Sequence, residues 1–198
     1  MTERVDGRTA RRDRNTDAVL DTVHEMFVEG NFSPAVEEVA ARSGVSLRSV
    51  YRYFEDGEEL LRLAIQRRIA VVDELYVLRN PGEGPLAGRI LALVNHRLLL
   101  HSKLAPSVRA AVLRAPFSEQ IAGQVRVRRD QLSEQVVAQF APELDALPTR
   151  ERDDLLACLD ALCSFETIEH LRVQRRLTVT QTRRALVSGL TALLSATE

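Results

Sequence analysis

Val36-Glu37-Glu38-Val39-Ala40-Ala41-Arg42-Ser43-Gly44-Val45-Ser46-Leu47-Arg48-Ser49-Val50-Tyr51-Arg52-Tyr53-Phe54 is the stretch on which the reading of this 198-residue chain turns. It reads as two short helices that cross closely through a very tight turn. Ala40 is small enough for the crossing, and Gly44 can take the positive φ that a tight helix exit needs. Val45 fills the apolar angle. Ser46 caps the next helix, whose Val50 and Phe54 are four apart and face inward. The outward positions are then Leu47, Arg48, Ser49, Tyr51, Arg52 and Tyr53. Two cations, two phenols and a hydroxyl, with no carboxylate on that helix, are the chemistry a recognition helix presents to a major groove.

Working outward, the apolar spacing is helical nearly everywhere, with no convincing period-two alternation and no internal repeat. Val19, Val23, Met26 and Phe27 line a first helix that stops at Gly30-Asn31. Ser33-Pro34 reads as the cap and first position of the second helix. Asp56 and Glu59 form a capping-box pattern opening a fourth helix, expected to run to about Leu78. Residues 80–85, Asn-Pro-Gly-Glu-Gly-Pro, are the densest breaker cluster. The expected organisation is an arm and helix-turn-helix domain over 1–56, a connecting helix over 57–80 and a second helical domain over 81–198. The Gly82-x-Gly84 pair lacks the preceding strand that a phosphate loop requires. Residues 86–104 are apolar nearly all round and are expected to be buried on most sides. Pro106 and Pro116 are expected to bracket a short helix. Ile121, Val125, Leu132, Val136 and Phe140 mark a long one. Leu155, Leu156, Leu159, Leu162 and Cys163 stripe an eighth helix, and Thr178 and Gln181 box the start of a ninth carrying Leu186, Leu190, Leu193 and Leu194. The fold class is therefore all-α, with about nine helices.

Bulk composition narrows the function classes. Hydrophobic residues make up 45% and charged residues 28%, an ordinary globular mixture, and aromatics at 5% with no Trp leave an aliphatic core. The formal net charge is −1, so any nucleic-acid surface is a local patch. Residues 1–56 hold eight Arg against eleven Asp and Glu. The acids of the first helix, Asp17, Asp21, Glu25 and Glu29, recur every four residues and so share one outer stripe. Arg8, Arg11, Arg12 and Arg14 make the preceding arm locally basic. It reads equally as a solvated tail or as a DNA-contacting arm. No run of about 18 apolar residues suggests a membrane span. The charged residues 1–6 lack the apolar run of a leader, so a cytoplasmic protein is expected. Cys158 and Cys163 lie roughly 140° apart on a helix, which disfavours a disulfide between them.

In the order and spacing of Val36-x-x-Val39-Ala40, Gly44-Val45-Ser46, Val50-Tyr51-Arg52-Tyr53-Phe54 and Glu59-Leu60-Leu61, the sequence resembles the tetracycline-repressor (TetR) family over roughly residues 10–65. Beyond that, the resemblance lies in helix pattern only. It implies a homodimeric transcriptional regulator of nine or so helices. The first three would bind double-stranded operator DNA and the last two long ones would pair with those of a partner chain. A small-molecule effector in the C-terminal domain would release a repressor from DNA. Carried over by position, Leu47, Arg48 and Ser49 face base edges and Tyr51 and Tyr53 face phosphates. Ser46, Arg52 and Arg12 complete the expected interface. Two positions depart from the pattern: Gly57 stands where the family often has a phosphate-binding Lys, and Ala35 where it often has Thr.

In the second domain Asn95-His96-Arg97 interrupts a leucine-rich helix, and buried polar groups need partners or a ligand. The expected effector site comprises Asn95, His96, Leu100, Phe117, Ile121, Cys163 and Phe165. The expected dimer interface comprises Leu155, Leu159, Leu162, Leu186, Leu190 and Leu193, stripes too apolar to leave in water. The competing readings are a helical enzyme and a helical interaction protein that binds no DNA. Against the enzyme, His24, His96, His101, His170 and the two cysteines show none of the spacings of HExxH, CxxC or a glycine-bracketed serine. No metal, cofactor or catalytic residue is expected.

Overall fold

The computed structural model describes residues 7–71 and 73–195; the charged stretch 1–6, from which a cytoplasmic protein is expected, lies outside them. Among the described residues ten α-helices run α1 (Gly7–Val28), α2 (Val36–Ser43), α3 (Leu47–Tyr53), α4 (Gly57–Val71), α5 (Leu86–Arg114), α6 (Glu119–Gln139), α7 (Ala141–Leu144), α8 (Thr149–Cys163), α9 (Phe165–Glu169) and α10 (Val179–Ser195). Tight 3-10 turns at Asp73–Tyr76 and Ala115–Phe117 and a π turn at His170–Gln174 interrupt them, and no strand occurs among the described residues. The chain divides into two compact units.

The first unit comprises residues 7–71 with Leu104–Val125. Its core is made of Val19, Val23, Met26 and Phe27 from α1, Val39 and Ala40 from α2, Val45 from the turn, Val50 and Phe54 around α3, and Leu60, Leu61, Ala64 and Ile65 from α4. Each fully buried large side chain here contributes about 1.5–3 kcal/mol relative to exposure. The capping signals at the helix starts are realised in part. Ser46 accepts from the Ser49 N–H at 3.3 Å. Asp56 accepts from the Glu59 N–H at 2.8 Å, and Glu59 reaches back to the Glu55 N–H at 2.6 Å. Gly44 leaves α2 at φ 69°, in the left-handed region. The cap expected at Ser33-Pro34 falls elsewhere: α2 starts at Val36 behind Ala35, which offers no side-chain cap. Ser33 is drawn into a turn in which its N–H bonds Asn31 Oδ1 at 3.3 Å, and Pro34 is buried.

The second unit comprises Asp73–Lys103 with residues 126–195. Ile90, Leu93, Val94 and Leu98 of α5 pack with Val136, Phe140, Leu144, Leu159, Cys163, Ile168, Leu186, Leu190 and Leu194. Thr178 and Gln181 form the expected reciprocal box, at 2.8 and 3.2 Å. Arg89 fastens residues 80–84 to α6 and α7. It donates to the carbonyls of Gly84 (3.1 Å) and Gln139 (2.8 Å) and pairs with Glu143.

Three further expectations are corrected. α4 ends at Val71 rather than near Leu78, because the Asp73–Tyr76 turn is held by side chains from α5 and α6 that no periodicity can reveal. α5 runs through Pro106 to Arg114 instead of breaking there. A proline removes one helical hydrogen bond, and buried Leu104, Ala105, Ser107, Ala110 and Ala111 on either side hold the helix together. Nor is α5 buried all round, since Leu91 and Leu99 stay exposed.

Candidate nucleic-acid interface

α3 is seated by its short inward side. Val50 and Phe54 are buried, while Ser46, Leu47, Arg48, Tyr51 and Arg52 are exposed and Ser49 and Tyr53 half-buried. The cap hydroxyl of Ser46 donates to Ser49 Oγ at 2.9 Å, tying the first turn together. The helix is therefore a rigid, capped platform, and its outward side chains are those singled out in the sequence.

The two tyrosines differ in a way that their spacing does not show. Tyr53 accepts from Asn15 Nδ2 at 3.3 Å and from the Arg52 guanidinium at 3.2 Å. Arg12 and Arg52 lie over its ring, at 5.9 and 5.2 Å from the centroid. The bond from Asn15, then that from Arg52, lowers its pKa from the usual phenol value. Ser49 bonds the same hydroxyl, so the Tyr53 oxygen is held among three polar side chains, on a residue that stays half-exposed. Tyr51 instead donates its proton to Glu37 Oε1 at 3.3 Å. The Glu37 charge raises its pKa, adding to burial. A carboxylate from α2 thus reaches the face of α3 that its own sequence leaves free of acids. Arg12, proposed from the sequence, joins this cluster through the Tyr53 ring; Asn15 was missed, being 38 residues distant in sequence.

The acidic stripe of α1 is engaged internally. Arg67 of α4 bridges Asp17 and Asp21, and Arg42 of α2 pairs with Glu29 and Glu25. The Glu29 carboxyl is held below its usual pKa by its hydrogen bond from Arg42. These four carboxylates therefore lock α2 and α4 onto α1. At Gly57, a Cβ would lie 3.2 Å from Val36 Cγ2, so the absent side chain permits a close approach of α4 to α2. A Lys there would have to displace Val36.

Residues 19–64 match the family model described as "Bacterial regulatory proteins, tetR family". This segment is a tetR-family domain. The chain is accordingly a DNA-binding transcriptional regulator. A comparison with curated proteins gives no match. Among solved structures, a tetR-family transcriptional regulator from Streptomyces coelicolor superposes with a TM-score of 0.72 at 20% identity, over 93% of this chain and 82% of that one. A transcriptional regulator from Rhodococcus sp. Rha1 gives 0.67 at 21%, over 93% and 96%. A protein described as a transcriptional regulator from Saccharomonospora viridis, in complex with choline, gives 0.70 at 15%, over 90% and 96%. At these identities the likeness is one of fold, and it extends well beyond the tetR-family segment.

The residues expected around an effector fall in both units. In the first, Phe117 is 82% exposed while Ile121 is buried in the core. In the second, Leu100 and Cys163 are buried, His96 and Phe165 half-buried and Asn95 exposed. Asn95 accepts from Arg183 at 2.8 Å, and Phe165 stacks on His101 at 5.4 Å. Burial drives the His96 pKa down to about 4 and the Cys163 thiol up to about 12, so both are neutral at pH 7. Of the expected interface leucines, Leu159, Leu186 and Leu190 are buried in the chain's own core, and Leu155, Leu162 and Leu193 are half-buried beside it. Among the described residues no cluster of His, Cys, Asp and Glu could hold a metal ion, and no helix is long and apolar enough to cross a membrane.

Proposed function

We propose that this regulator is a homodimeric repressor that reads a near-palindromic operator through α3 and is released by a small-molecule effector. The exposed Leu47 and Arg48 and half-buried Ser49, with the Tyr53 hydroxyl held by Asn15 and Arg52 beside them, carry the reading. Arg48 suits a bidentate contact to a guanine edge, and Tyr53 a phosphate. In a two-fold dimer the recognition helices stand roughly 34–36 Å apart, one turn of DNA, which is why the operator is expected to be a palindrome. The half-buried Leu155, Leu162 and Leu193 of α8 and α10 are the positions with surface left to offer a second chain.

Effector control is proposed for the second unit, where polar side chains enter an aliphatic core. The choline of the S. viridis protein is a poor guide to its chemistry. The second unit has three aromatic rings, and each already faces a basic group: Arg128 over Tyr76 at 4.6 Å, Arg89 over Phe140 at 6.0 Å and His101 against Phe165. A quaternary ammonium needs such faces for itself. The test of the repressor reading is selection of DNA from a random pool by the purified chain. A palindromic site bound with steep salt dependence is expected, because phosphate contacts release counterions. Retention of all sequences alike would refute it.

A further inference from the structure

α5 buries two arginines, and the fold treats them differently. Arg89, 5% exposed, meets Glu143 in a two-point ion pair, so its charge is matched. Arg97, 3% exposed, has only neutral acceptors among the described residues: Gln135 Oε1 at 2.7 Å, the Leu132 carbonyl at 2.8 Å and His96 Nδ1 at 2.8 Å. Its Nε–H is buried without an acceptor. Asp160 acts on it from a distance, but that carboxylate accepts the Ser133 hydroxyl at 2.6 Å. A guanidinium cannot shed its proton to escape this situation, and an unmatched buried charge is costly. Glu143 shows how the fold satisfies an arginine when the purpose is structural.

We propose that Arg97 anchors a small organic monocarboxylate with an apolar body. The site deepens the effector reading above and rests on it for its regulatory meaning. One fixed cation with a free Nε–H matches one planar monoanion. A phosphate dianion would need a second cation, and among the described residues none joins Arg97. Cys163, near enough to act on the Arg97 charge, is a neutral thiol, and the core of this unit is largely aliphatic, which suits a hydrocarbon chain or ring. His96 and Gln135 also hold the Asp73–Tyr76 turn. His96 Nε2 lies 2.8 Å from the Leu75 carbonyl, and Gln135 Nε2 donates to the Tyr76 carbonyl. A carboxylate that draws Arg97 away from these two side chains therefore disturbs a turn that begins two residues beyond the end of α4.

The experiment uses the full chain without DNA at fixed ionic strength. Thermal melting and calorimetric titration are run with straight-chain acids from acetate to octanoate and with benzoate and phenylacetate. The matching primary amides, choline and inorganic phosphate serve as controls. At least one acid is expected to raise the melting temperature saturably, with its amide, choline and phosphate inert. Arg97→Lys should bind that acid at least tenfold more weakly, and Arg97→Met should not respond. If either variant fails to fold, the Arg97 Nε–H resonance of the wild-type chain decides, and it should shift on titration. The proposal is overturned if no acid binds at millimolar concentration, if an amide binds as well as its acid, or if binding survives in Arg97→Met. Because no DNA is present, any of these results leaves the DNA-binding reading standing. Failure of DNA selection, conversely, leaves the carboxylate site standing.

Discussion

Tyr51→Phe and Tyr53→Phe remove the same atom from the same helix, yet the structure predicts different outcomes for DNA binding. The Tyr53 hydroxyl accepts from Asn15 and Arg52 at 3.2–3.3 Å, has no carboxylate on it, and belongs to a half-exposed residue that can meet a phosphate. Phe at this position retains the ring under Arg12 and Arg52, so only the hydroxyl is tested. A hydrogen bond to a charged phosphate contributes about 1.5–3 kcal/mol. With the two heads of the proposed dimer the loss is about 3–6 kcal/mol, roughly 160- to 25,000-fold in Kd. It should fall equally on operator and on unrelated DNA, since a phosphate carries no sequence information. Tyr51 spends its proton on Glu37, so Tyr51→Phe should cost less than about 0.5 kcal/mol. Fluorescence anisotropy against a selected site and a scrambled duplex, at several salt concentrations, measures both. Equal losses for the two variants, or a Tyr53→Phe loss confined to the operator, would refute the reasoning.

The remaining predictions concern stability and assembly. Glu143→Gln leaves Arg89 buried without its counter-charge and should cost about 3–5 kcal/mol in urea unfolding; a loss under 1 kcal/mol would mean that the pair is dispensable. His96 has a folded pKa of about 4 against 6.5 unfolded, so the unfolded chain binds the extra proton and stability declines as pH falls from 6.5 towards 4. With allowance for the partly solvated ring, His96→Gln should flatten the pH-stability curve by about 1–2 kcal/mol at pH 5. His24, also lowered by burial, acts in the same direction. Leu162→Glu or Leu193→Glu should yield folded monomers by sedimentation, whereas Leu159→Ala, in the core of the chain itself, should cost about 2–5 kcal/mol in stability. A folded, stable dimer from all three would contradict the division drawn here between core and interface.

What the sequence made legible is what local rules control. Val19, Val23, Met26 and Phe27 on one face, Gly44 at positive φ, Ser46 as a cap and the Thr178–Gln181 box follow from side-chain spacing and backbone chemistry within a few residues. What was not legible depends on partners far along the chain. Asp17 and Asp21 read only as members of an outer stripe because Arg67, which pairs with them, lies 50 and 46 residues away. Glu37 reaches Tyr51 across a turn, and a helix-by-helix census of charge misses it. Pro106 reads as a stop only while the packing on both sides is unknown. The leucine stripes of α8 and α10 show the right periodicity, but periodicity does not separate a face buried against the chain's own α5 from one left for a second chain.

The most direct test of the central claim is DNA selection repeated with Arg48→Ala. The account predicts that the variant still selects a palindrome but loses preference at one base pair in each half-site, with about 1–3 kcal/mol of discrimination lost there. An unchanged selected sequence at unchanged affinity would show that α3 does not read the bases.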